Sequence, residues 1–230
     1  MFRGTIGFTM SLALVVLSFG QVKGPTNNLE NPTVVRPASK GSVISPIEAE
    51  LRERGQVSMG RTSCGGSGYG DSIPKTPVEI MHGLLCGSSA VVVGTAVSKE
   101  SKLDSDGSWI ITDYAIHVEK IFKNDNAGAI RRGGNVTITM PGGQISIDGK
   151  IATAKDNDYA FLNSADLYIF FLERTPSGGY ITQTGSGYIS AADGSLYSLR
   201  AQSFGVEQTS MNYLDLIGAA SKIPCVSPKK

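Results

Sequence analysis

Ala90-Val91-Val92-Val93-Gly94-Thr95-Ala96-Val97 and, after a polar turn, Trp109-Ile110-Ile111-Thr112-Asp113-Tyr114-Ala115-Ile116-His117-Val118-Glu119-Lys120-Ile121-Phe122 decide the fold. β-Branched and aromatic residues fill both arms, as suits a pleated and partly buried surface. Leu103-Asp104-Ser105-Asp106-Gly107 supplies turn chemistry between them, so the stretch reads as one long β-hairpin. In the second arm Ile110, Thr112, Tyr114, Ile116 and Val118 share one face and form the candidate core. Ile111, Asp113, Ala115, His117 and Glu119 share the other. Val118-Glu119-Lys120-Ile121 breaks the alternation and predicts a bulge. The first arm is apolar on both faces. That requires burial on both sides or a strongly bent barrel strand, with Gly94 allowing the bend.

Downstream, Val136-Thr137-Ile138-Thr139-Met140 alternates as a third strand and is interrupted by Pro141-Gly142-Gly143. Ile145 and Ile147 continue that strand past the kink to an Asp148-Gly149 turn. Residues 150–166 read as irregular. Leu167-Tyr168-Ile169-Phe170-Phe171-Leu172 is the most hydrophobic strand after the leader and is expected to be central. Thr175-Pro176-Ser177-Gly178-Gly179 turns it into Tyr180-Ile181-Thr182-Gln183-Thr184. Gly187-Tyr188-Ile189-Ser190, Asp193-Gly194 and Leu196-Tyr197-Ser198-Leu199 form a last hairpin. A helix over residues 211–222 then buries Leu214, Ile217 and Gly218 or Ala219. Pro224 stops it, and Cys225 follows.

Upstream, Thr76-Pro77-Val78-Glu79 is a capping box. Val78, Met81, Leu84 and Leu85 follow at helical spacing, and Gly87 is the stop. Residues 25–75 form a polar arm rich in proline and glycine. It carries a short helix at 46–54, signalled by Ser45-Pro46-Ile47-Glu48 and Gly55. Within the arm, Cys64-Gly65-Gly66-Ser67-Gly68-Tyr69-Gly70 is glycine-rich but lacks a Walker lysine. Tyr69 also stands where a nucleophile elbow needs glycine, so the segment reads as a connector. Residues 1–24 have the form of a signal peptide, with Arg3 before an apolar run over 6–19 that is short for a membrane span. The expected fold is therefore mainly β: a five- to six-stranded, OB-like antiparallel barrel over residues 76–222. A helix flanks it at each end, and residues 223–230 form a tail. A small sandwich is the alternative.

The two arms of the hairpin, continued to Lys123, and the strand Leu167-Tyr168-Ile169-Phe170-Phe171-Leu172 resemble the pattern of secreted bacterial proteins with an OB-like barrel. More distantly, residues 77–199 resemble netrin-like domains, which include the tissue inhibitors of metalloproteinases. Those inhibitors open on cysteine-x-cysteine, whose amino end caps the target's zinc. This chain has no cysteine-x-cysteine, so the inhibitory residues have no counterpart in it.

Three cysteines, Cys64, Cys86 and Cys225, leave three pairings open, and export permits a disulfide. In an OB-like domain the flanking helices lie close together, which makes Cys86 and Cys225 the disulfide candidate. Cys86 equally suits a small buried apolar position.

His82 and Cys86 have the spacing of metal ligands on a helix, but two ligands do not make a site. His117 reads as a solvated strand residue. Asp104-Ser105-Asp106-Gly107 lacks the downstream acidic ligand of a calcium loop and reads as a turn, and Asp156-Asn157-Asp158 reads likewise. With 21 basic and 20 acidic residues, the chain has no electrostatic footprint for nucleic acid. No cofactor motif is present and no later segment is apolar enough to span a bilayer. The expectation is an exported, periplasmic or secreted, non-enzymatic module that binds a protein or envelope component. The alternatives are an extracytoplasmic hydrolase, whose site would unite His117, Asp113 and a serine, and a protease inhibitor that uses the polar arm.

Overall fold

The computed structural model describes residues 29, 31–35, 44–61, 76–126, 129–156, 159, 161–190, 196–198 and 213–225. Residues 1–24, Cys64 with its glycine-rich loop, Asn157-Asp158 and Asp193-Gly194 lie outside the described residues. In chain order the elements are β1 (Thr33–Val34), α1 (Pro46–Arg54), β2 (Gln56–Arg61), α2 (Pro77–Gly87), β3 (Ala90–Leu103) and β4 (Ile110–Asn124). They continue with β5 (Asn135–Pro141), β6 (Gly143–Ile147), β7 (Lys150–Asp156), β8 (Leu167–Arg174), β9 (Tyr180–Ser190), β10 (Leu196–Ser198) and α3 (Tyr213–Ala220). The protein is mainly β. One sheet has the order β1-β6-β7-β2 and the other β10-β9-β5-β4-β3-β8, with β9 also pairing β8.

β3 and β4 form the antiparallel hairpin, and its first arm runs six residues beyond Val97, to Leu103. The turn is held by Asp104, whose Oδ1 accepts the backbone N–H groups of Ser108 and Trp109 at 2.9 and 3.0 Å. Register shifts fall at Val91/Val92, Val93/Gly94 and Ala96/Ser98. Such bulges bend a strand pair and increase its twist. At Gly94 the strands approach so closely that a Cβ would lie 2.1 Å from the His117 carbonyl oxygen.

The two apolar faces of β3 are both buried. Ala90 and Val92 join Tyr114, Ile116, Val118, Tyr168, Phe170 and Leu172 in the largest core. Val91 and Val93, with Ile169 and Phe171, lie beneath α2 and α3. α2 starts on the complete Thr76–Glu79 capping box and buries Met81, Leu84 and Leu85. Its C-terminal end is closed by Lys123 of β4, whose ammonium donates to the Leu85 and Ser88 carbonyls at 3.0 and 2.5 Å, the favourable end of the helix dipole for a cation.

Three expectations are corrected. Ile145 and Ile147 do not extend the third strand. Gly142 (φ 92°) and Gly143 (φ 147°) turn the chain out of the larger sheet, and β6 begins the smaller one. Lys150–Asp156 is strand rather than irregular. Its buried positions are Ala152, Ala154 and Asp156 while Ile151 is exposed, so the hydrophobic alternation is muted. The β6–β7 hairpin turns on Asp148 (φ 51°) and Gly149 (φ 74°), two left-handed residues as a type I′ turn requires. In α3 the buried residues are Leu216, Ile217 and Ala220, and Leu214 is exposed. The helix meets the core on a face rotated from the one expected.

Parts of the polar arm complete the smaller sheet. β1 pairs β6 and β2 pairs β7, both parallel. α1, capped by Ser45 and stopped by left-handed Gly55, buries Ile47 and Leu51 against Val57, Trp109, Ile110, Ile145 and Ala152. One face of β4 thus serves two cores. Ile110 packs with the smaller sheet and Tyr114 with the larger. Between them Thr112 is buried, donates to the Gly142 carbonyl at 2.7 Å and lies 2.8 Å from Ser101 Oγ.

Candidate functional site

A cleft of about 240 Å³ opens where the two sheets meet the segment before β8. β3 contributes Lys99, β4 contributes Tyr114, and β6 contributes Gly143 and Gln144. Phe161, Leu162 and Asn163 come from the segment before β8, and Leu29 from the arm.

Two tyrosines of the core hold that segment in place. Tyr168 Oη accepts the Asn163 N–H at 2.7 Å and donates to Asp166 Oδ2 at 3.4 Å. Tyr114 has a hydrogen bond with the Leu162 backbone, and burial pushes its hydroxyl up to about 12. Burial likewise raises the Tyr168 hydroxyl, with a smaller push from the Asp166 charge. Leu162 is buried in the main core, whereas its neighbour Phe161 is 47% exposed at the cleft. Asn163 is committed to its own loop: Oδ1 accepts the N–H groups of Ala165 and Asp166, and Nδ2 donates to Asp166. Gln144 donates to Thr153 Oγ1 at 3.3 Å.

The cleft is therefore lined by apolar carbon, an exposed phenylalanine, two side-chain amides and one ammonium group. Tyr114 carries its titratable proton there, and burial places that proton far above neutral pH. The lining suits contact with an apolar side chain and its flanking backbone better than proton transfer.

The sequence-derived candidates lie elsewhere. His117 donates from Nδ1 to Asn135 Oδ1 at 3.3 Å. Asp113 is held by the Lys102 ammonium and by Thr139 Oγ1, the latter at 2.6 Å. The hydrogen bonds of this pair thus lead to Asn135, Lys102 and Thr139, and none of these is a serine. Asp104 and Asp106 organise the hairpin turn. Hydrogen bonds from the Ser108 side chain and backbone, then from Asp104, hold the Asp106 carboxyl below its ordinary value. Asp156 is fully buried and paired with Arg61 Nε at 3.1 Å, and the Arg61 guanidinium lies 4.3 Å from the centroid of the Trp109 ring.

Cys86 and Cys225 are joined by a disulfide with an S–S distance of 2.01 Å, linking α2 to the segment after α3. His82 lies one helical turn from Cys86. Among the described residues these three make the one group whose ligand atoms could hold a metal ion, all within 4.8 Å of one another.

Phe161 and Leu162 were not among the sequence candidates. The available signal was an apolar pair set in a polar stretch, which hydrophobic periodicity does not register. Among the described residues no helix is long and apolar enough to cross a membrane. No protein-family model matches the chain, and no curated protein matches it.

Proposed function

We propose that this chain is an exported, non-enzymatic binding module on an OB-like barrel, and that the cleft beside Phe161 receives an apolar side chain of a protein or envelope partner. The barrel reading is supported by the run of pairings β3–β4, β4–β5, β5–β9, β9–β8 and β8–β3, which returns to its start. Only β5–β9 in this run is parallel, consistent with a five-stranded Greek-key barrel. The netrin-like resemblance points the same way. The export reading rests on the leader-like residues 1–24.

The observation that carries the binding reading is the cleft itself: apolar walls and amides, with Phe161 presented at its edge. His117 and Asp113, the pair a hydrolase would need, are engaged with separate partners. The inhibitor reading, in which the polar arm inserts into a protease, is less well supported. β1, α1 and β2 of that arm are built into the smaller sheet and its core.

The test is retention of an envelope or culture-supernatant component of the producing cell on the immobilised chain. Phe161→Asp is compared with Ile151→Asp, a change at an exposed residue of β7. Loss of the retained component with Phe161→Asp alone is the expected result. Equal retention by both variants would remove the cleft from the account. Substrate cleavage abolished by His117→Ala would establish the hydrolase instead.

A further inference from the structure

We propose that His82, Cys86 and Cys225 form a redox-conditional site for a borderline transition-metal ion such as zinc(II). Oxidised, the two sulfurs bond to each other; reduced, they and the imidazole hold the metal.

The geometry begins on α2, where residues four apart stand on one face, so His82 and Cys86 are stacked. Cys225 reaches the same point from beyond α3, with its Cα 5.5 Å from that of Cys86. His82 Nδ1 donates to the carbonyl of Ala220, the last residue of α3, at 3.3 Å. That bond fixes the tautomer and leaves the Nε2 lone pair available, the arrangement in which metal-bound histidines are normally held. Nε2 and Nδ1 each lie 3.6 Å from Cys86 Sγ, so the sulfur is at ligand distance from Nε2 but off the axis of its lone pair. In a tetrahedral zinc site with Zn–N about 2.0 Å and Zn–S about 2.3 Å, the N···S edge is about 3.5 Å. The imidazole and Cys86 are therefore at metal-site separation, and a turn of the ring aims the Nε2 lone pair at a point shared with the sulfur. Metal binding requires that turn and the withdrawal of Cys225 Sγ, which sits in the exposed segment 221–225.

The reductant required is a dithiol. One of its thiolates attacks the sulfur of Cys225, the more exposed residue of the pair, and Cys86 leaves as the thiolate beside His82. The second thiol of the reductant cleaves the mixed disulfide, and the reductant departs as a disulfide. Two electrons have then passed to the sulfur pair. Metal binding displaces the protons from the two cysteines. Three protein ligands leave one position of the tetrahedron open to water or to a donor atom from a partner.

The test uses the full chain carrying Cys64→Ser, so that only the two cysteines in question report. Oxidised and phosphine-reduced protein are each titrated with cobalt(II), then with zinc(II), while circular dichroism follows the fold. The expected result is one cobalt per reduced chain, with thiolate-to-cobalt absorption and tetrahedral ligand-field bands that zinc abolishes, and no such bands in the oxidised chain. His82→Ala is expected to weaken binding by roughly tenfold or more while leaving the disulfide able to form. Three results would each overturn the proposal. One is the absence of cobalt bands in the reduced protein, and another is unchanged affinity in His82→Ala. The third is a chain that unfolds on reduction and is not restored by zinc.

Discussion

A Cβ on Gly143 would stand 2.2 Å from Thr112 Oγ1 and 2.8 Å from Ser101 Oγ, at a φ of +147°. Both hydroxyls belong to the buried polar seam between the cores, so neither can retreat without losing its bond. Gly143→Ala is therefore expected to cost more than about 2 kcal/mol in urea denaturation. Gly83 offers the contrast, because a Cβ there meets nothing within 4 Å. Gly83→Ala inside α2 is expected to stabilise by up to about 1 kcal/mol. Equal midpoints for the two variants would contradict this reading of the seam.

Tyr114 sets a pH limit. Its hydroxyl is raised by burial from 10.0 to about 12 in the folded chain. The unfolded chain therefore loses that proton first as the solution becomes alkaline. The stabilisation is fully present below pH ~10 and is lost as pH rises through the folded value. Tyr168 shifts in the same direction. Stability is expected to fall between about pH 10 and 12, and Tyr114→Phe to flatten that fall. A variant with the same alkaline slope as the parent would show that Tyr114 does not titrate as described.

Among the elements, α1 makes the most of little apolar content. Ile47 and Leu51 are its buried aliphatic residues, and the helix is nevertheless fixed to the smaller sheet. Leu51→Ala is expected to cost about 2–5 kcal/mol. The same change is expected to redden the fluorescence of Trp109, the single tryptophan, which shares that cluster. If α1 were an unattached part of a linker, neither stability nor emission would change.

The legibility of the elements follows from where their signals lie. Capping and turn residues act locally, so the bounds of α1 and α2 and the Asp148-Gly149 turn could be read from neighbouring letters. β7 was hidden because its buried residues are two alanines, too weakly β-forming to stand out, and an aspartate. The partnership of β1 and β2 with the β6–β7 hairpin is non-local and leaves no periodic mark in the arm. The cleft was unreadable for the same reason. Its walls come from β3, β4, β6 and the segment before β8, which only the folded chain brings together.

At the scale of the whole molecule, the β3–β4 hairpin connects all three cores. Val91 and Val93 face the helices, Ala90 and Val92 face the main core, and Trp109 and Ile110 at the far end face the smaller sheet. The proposed barrel depends on its narrowest seam, the parallel register of Ile138 with Tyr180 and of Thr139 with Ile181. If that seam holds, β8 and β9 fix the segment that presents Phe161 and the cleft is a permanent feature. If it does not, the larger sheet is open and the cleft has no fixed rim. The most direct test is nuclear magnetic resonance of the isotope-labelled chain, looking for cross-strand contacts between the backbone protons of these two residue pairs. Contacts at both pairs, with slow amide exchange in β5 and the start of β9, are the expected result. Their absence, with β4–β5 contacts intact and β9 amides exchanging rapidly, would contradict the closed barrel and the cleft built on it.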